Sequence, residues 1–69
     1  MSIYIDFETF KMLIQQPYGV LATFLARAFL VKATGNEKIG IYSTCMAGGL
    51  PLATVSRAFK ALRKLGLVR

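Results

Sequence analysis

Sixty-nine residues make one small domain, and a chain of this size buries only about 60% of its unfolded surface, so its core alone is marginal. Yet 55% of the residues are apolar, a surplus that a partner subunit would absorb, since most soluble oligomers are symmetric dimers. With no His, one Cys, one Asp and two Glu, neither a metal site nor a Ser-His-Asp or Cys-His arrangement can be assembled in one chain; an enzyme is not expected, nor a bound cofactor or metal. The lone Cys45 rules out an intramolecular disulfide and fits a reducing, cytoplasmic compartment.

In chain order, residues 2–5 alternate weakly, as a brief strand or a loose arm would. Asp6 is placed to cap a helix, its carboxylate accepting from N–H groups two or three residues on. Phe7, Phe10, Leu13 and Ile14 then recur at helical spacing to about residue 16. The opening MSIYIDFETF carries acids where a signal peptide needs cations. Pro17 interrupts and suits the first turn of a following helix, expected over 17–33.

Residues 20–31 are apolar apart from Thr23 and Arg27. The run is too short for a membrane span, which needs about 20 apolar residues, so it reads as a core helix and no membrane is expected. Val20, Leu21, Phe24, Leu25, Ala28, Phe29, Leu30 and Val31 leave this helix apolar nearly all round, and such a helix is buried on several sides. In so small a domain one side meets the core and another meets a second copy of the chain. The alternative is that the N-terminal segment folds over it and buries it within one chain.

Gly35-Asn36-Glu37 ends that helix, Gly supplying a left-handed stop, with Lys32 and Lys38 flanking the turn as solvated charges. KIGIY (38–42) alternates and is rich in β-formers, which predicts a short strand. Ser43 or Thr44 can cap a short helix over about 44–48, followed by a turn at 49–51. The last segment, 52–65, is a helix of clear polarity. At about 100° per residue, Val55, Ala58, Phe59, Leu62 and Leu65 fall on one side, and Ala53, Arg57, Lys60 and Lys64 on the other. Leu-Gly-Leu-Val-Arg then stops the helix and begins a strand. No repeat, low-complexity tract or linker is visible.

The net charge of +6 is unevenly placed. Asp6, Glu8 and Lys11 make the first 26 residues slightly acidic, whereas Arg57, Lys60, Arg63, Lys64 and Arg69 gather at the other end with no acid among them. A solvated surface helix would account for the charge alone, but a one-sided cationic stripe also suits a polyanion.

The order of parts in 38–69 resembles the winged helix-turn-helix domains of bacterial, phage and plasmid regulators: strand KIGIY, helix STCMAG, turn GLP, helix LATVSRAFKALRKLG and a strand beginning LVR. Thr54-Val55-Ser56-Arg57 is similar to the start of recognition helices in the lac repressor family. Leu62-Arg63-Lys64-Leu65-Gly66-Leu67-Val68 resembles the junction between recognition helix and wing in MarR-type regulators. The segment Cys45-Met46-Ala47-Gly48-Gly49 departs from the usual pattern in being short and Gly-rich. The resemblance implies a mainly α fold, a small helix-turn-helix domain with a minimal two-stranded β element. Its wing would be truncated or absent, because the chain stops at Arg69 where a second wing strand should begin; the domain is then naturally wingless or the first piece of something longer.

The resemblance also implies roles. Gly49 would serve the turn, Cys45 a close helix crossing, and Leu50, Val55 and Phe59 the packing of the second helix on the first. A recognition helix enters the major groove of double-stranded DNA with its N-terminal residues towards base edges, which places Leu52, Ala53, Ser56 and Arg57 at bases. Arg57 can bond two acceptors of one guanine, while Leu52 and Ala53 offer only apolar contact. Thr54 would bond a phosphate or cap its own backbone, and Lys60, Arg63 and Lys64 would meet phosphates. Tyr4, Tyr18 and Tyr42 can pack or stack on bases. The function implied is a dimeric transcriptional repressor that occludes a pseudo-palindromic site, or the DNA-binding domain of a plasmid or phage replication initiator. From another class comes a protein-interaction module of the same shape, its basic helix docked on an acidic partner, which the apolar Leu52 and Ala53 favour. No small-molecule ligand site is evident.

Overall fold

Proline, glycine and one capping aspartate punctuate the chain into four helices. The computed structural model describes residues 3–68 and contains α1 (Phe7–Ile14), α2 (Tyr18–Thr34), α3 (Ile41–Gly48) and α4 (Leu52–Lys64). The Ser2 and Arg69 parts of the expected strands and the Tyr18 side chain lie outside the described residues. Among the described residues there is no strand, so the architecture is mainly α, as expected, without the expected two-stranded β element.

Asp6 caps α1 as its position in the sequence suggests: Thr9 donates its backbone N–H to Oδ2 at 3.2 Å and its hydroxyl to Oδ1 at 2.6 Å. These two donors, the hydroxyl first, hold the Asp6 carboxyl below the usual carboxylate range. Pro17, extended at φ −53° and ψ 151°, sits just outside α2 rather than within its first turn. Gly35 ends α2 in the left-handed region at φ 71° and returns its N–H to Val31. Seventeen residues long, α2 falls short of a span, and no helix among the described residues is long and apolar enough to cross a membrane.

The strand expected at 38–42 is corrected to a loop followed by the first turn of α3. A lone strand has no ladder partner, and Leu67–Val68, which should have supplied one, instead packs onto the helical core. Ile41 gains more as the first residue of a helix, one turn before Cys45, because both then lie against the core cluster. Gly40, not Ser43 or Thr44, is the cap residue of α3. Thr44 is inside the helix and buried, its backbone N–H and its hydroxyl both donating to the Gly40 carbonyl, at 3.1 and 2.9 Å.

Arg27, the one cation in the apolar run of α2, shapes this region. Its Nε donates to the Ile39 carbonyl at 3.1 Å and its Nη2 to the Glu37 carbonyl at 2.7 Å. Asn36 adds an Asx turn, its Oδ1 accepting the Lys38 N–H at 2.9 Å. The α2–α3 connection is therefore bonded at both ends to ordered groups.

α2 packs against all three other helices, whereas α1 packs against α2 alone. The buried core is Leu13, Val20, Val55, Ala58, Phe59, Leu62 and Val68, with α4 supplying most of it. Two glycines permit close approach. A Cβ on Gly19 would collide with Thr54 Cγ2, and one on Gly48 would come within 3.0 Å of Ala26 Cβ. The Gly-rich character of α3 thus has a packing cause: Gly48 lets α3 lie directly on α2. Thr23, fully buried in α2, leaves its Oγ1 without a hydrogen-bond partner.

Candidate nucleic-acid interface

α4 is delivered by a turn built from two backbone devices. Gly49 ends α3 at φ 63°, a conformation glycine adopts at no steric cost, and the Leu50 N–H returns to the Cys45 carbonyl at 3.2 Å. The Cys45 thiol donates to the Leu50 carbonyl at 2.8 Å, so the half-buried Cys45 ties the turn from inside. Pro51, at φ −62° and ψ 141°, is the residue before the first turn of α4.

The far end of α4 closes as a Schellman motif. Leu67 N–H returns to the Leu62 carbonyl at 3.0 Å and Gly66 N–H to the Arg63 carbonyl at 3.1 Å, with Gly66 at φ 75°. Leu67 packs beside the core in the same step. Leu65-Gly66 is a helix stop as expected, and Leu67–Val68 lie against the core rather than in a strand.

Between these ends α4 is strongly two-sided. Val55, Ala58, Phe59 and Leu62 are buried, while Ala53, Arg57, Lys60, Arg63 and Lys64 are exposed. Arg63 and Lys64 fall in the last turn, where cations complement the helix dipole. No carboxylate lies on α4, and the one ion pair among the described residues is Lys11–Glu8 on α1 at 3.7 Å. The cations of α4 therefore meet no intramolecular counter-ion there.

The cations expected at the interface border two clefts. Arg57, Lys60 and Lys64 line a shallow groove with Gln16 and Pro17 of the α1–α2 corner. Arg63 faces another cleft, together with Arg27, Lys38 and Phe59, and its guanidinium lies 5.8 Å from the Phe59 ring centroid. Leu52 is 54% exposed, Ala53 is exposed and Ser56 half-buried. Thr54 is half-buried with its methyl group over Gly19. Tyr4 and Tyr42, 90% and 70% exposed, stand free of the core.

Lys38 and Gln16 were not legible as site residues, since only the fold brings the α2–α3 loop and the α1–α2 corner alongside α4. A second surface is equally plain. Phe7, Phe10, Met12 and Ile14 of α1 and Phe29 of α2 are exposed, so α1 covers α2 only in part. No family model, curated protein or solved structure matches this chain.

Proposed function

We propose that this protein is a sequence-specific double-stranded DNA-binding regulator, a repressor that seats α4 in the major groove and acts as a homodimer. The observation that carries the reading is the acid-free exposed stripe Arg57, Lys60 and Lys64, opposite a fully buried apolar stripe, on a helix that follows a three-residue turn. Arg57 near the start of α4 reads a base, Ser56 serves a base or a phosphate, and Leu52 and Ala53 offer apolar contact to a thymine methyl group. Lys60, Arg63 and Lys64 hold phosphates. Thr54 packs on Gly19 and at most touches a phosphate at its rim. The exposed aromatics of α1 and α2 support the dimer, because they offer two copies an apolar surface to bury.

The same fold element serves the DNA-binding domain of a plasmid or phage replication initiator equally well. The exposed Leu52 at the head of α4 favours a second class, a protein-interaction module docked on an acidic partner.

A salt titration of binding to duplex DNA tests the reading. Lys60→Ala weakens binding to every sequence and flattens the dependence of log K on log salt by about 0.9. Arg57→Ala instead relaxes discrimination at one base position, by about 1–3 kcal/mol. Absence of duplex affinity at low salt overturns the proposal. For the dimer, sedimentation that finds only monomer at tens of micromolar contradicts it.

A further inference from the structure

The cations of α4 leave the helix on two edges. Successive helical residues are about 100° apart, so Arg63 lies about 120° around the axis from Arg57, with Lys60 between them and Lys64 close to Arg57. Arg57, Lys60 and Lys64 border the α1–α2 corner, whereas Arg63 borders the α2–α3 loop in a cleft it shares with Lys38. We infer that Lys38 and Arg63 form a second phosphate-binding edge, which grips the sugar-phosphate backbone on the side of α4 opposite the groove at Gln16 and Pro17. The inference rests on the DNA-binding reading and adds to it a residue, Lys38, from outside the helix-turn-helix segment.

Three observations carry it. The cleft holds Arg27, Lys38 and Arg63 against one acid, Glu37. Arg27 is bonded there to two neutral carbonyls, so its charge is not cancelled, and no ion pair involves Lys38 or Arg63 among the described residues. Both candidate side chains also spring from ordered supports. Lys38 follows an Asx turn and lies in a loop pinned by Arg27, and Arg63 lies over Phe59. Ordered donors lose less freedom on binding than free ones. A helix in a major groove about 12 Å wide has a phosphate wall on each side, so cations on both edges can bind at once.

The test uses a fluorescein-labelled 20-base-pair duplex of mixed sequence, followed by anisotropy across a salt series. Lys38→Gln is expected to lower the slope of log K against log salt by about 0.9, and Lys38→Gln with Arg63→Gln by about twice that. Lys11→Gln removes the same charge from α1, which packs on α2 alone, and is expected to leave the slope unchanged. Thermal unfolding of each variant checks its fold, and Lys38, exposed in a loop, keeps the test valid should Arg63→Gln weaken packing. If Lys38→Gln keeps the wild-type slope while Lys60→Gln with Lys64→Gln lowers it, the second edge is wrong and the DNA-binding reading stands. If Lys11→Gln lowers the slope as much as Lys38→Gln, the effect is one of net charge and the second edge is also wrong. If the wild type fails to bind the duplex at low salt, both fall together.

Discussion

α1 and α4 carry apolar residues at the same helical spacing and end in opposite conditions. α4 buries Val55, Ala58, Phe59 and Leu62 and shows solvent mainly cations. α1 buries only Leu13 and exposes Phe7, at 69%, with Phe10, Met12 and Ile14. The cause is the number of neighbours: α4 lies against both α2 and α3, whereas α1 has α2 alone. A periodic apolar stripe thus marks which side of a helix prefers to leave water, and the rest of the fold decides whether there is anything to cover it. Here the covered helix presents charge and the uncovered one presents aromatic rings.

The sharpest way to break this comparison is to truncate one residue on each helix. Leu62→Ala removes a fully buried side chain and should cost about 2–5 kcal/mol, enough to unfold much of a marginal domain. Ile14→Ala, at an exposed position, should stay within about 0.5 kcal/mol in the monomer and instead weaken self-association. Urea denaturation at low protein concentration measures both. Equal losses would mean that α1 is as fully packed as α4.

Smaller effects sharpen the account of how α4 is seated. Gly19→Ala places a methyl group against Thr54 Cγ2, and Thr is stiff at χ1 in a helix, so overpacking of about 1–3 kcal/mol is expected. Thr54→Ser deletes the offending methyl and should restore stability to Gly19→Ala. A double-mutant cycle that shows no coupling between the two would remove the contact from the account. Thr23→Val exchanges an unpartnered buried hydroxyl for a methyl of similar shape and should stabilise by up to about 1 kcal/mol in the same denaturation assay. The smallest effect belongs to α1. Because the Asp6 carboxyl is held below its ordinary range, its contribution is fully present above the pKa of a free carboxylate and is lost as pH falls through the lowered value. Helical circular dichroism should therefore show α1 fraying at acid pH in the wild type and little further change there in Asp6→Ala.

The helix boundaries were largely legible. Asp6, Pro17, Gly35, Pro51 and Gly66 mark starts and stops by local chemistry alone, and each does so within a residue or two. The alternation of KIGIY was not decisive, because two apolar residues at even spacing fit a strand and the entry to a helix alike, and the choice fell to long-range packing of Ile41. The buried and exposed sides of α4 could be read from residue spacing. What the spacing could not reveal was which neighbour each exposed side chain faces. Helical spacing alone turns Arg63 away from Arg57, but Lys38 joins Arg63 only because the α2–α3 loop borders the same cleft as Phe59 and Leu67. Thr54 likewise owes its position to Gly19, thirty-five residues earlier in the chain.

The claim that α4 is the DNA-binding element is tested most directly by adding a 20-base-pair duplex to isotope-labelled protein at low salt and following backbone amide resonances. The account predicts shifts concentrated on Leu52–Lys64 and around Lys38, with Phe7–Ile14 unmoved. Shifts centred on Phe7–Ile14, or none anywhere, would contradict it.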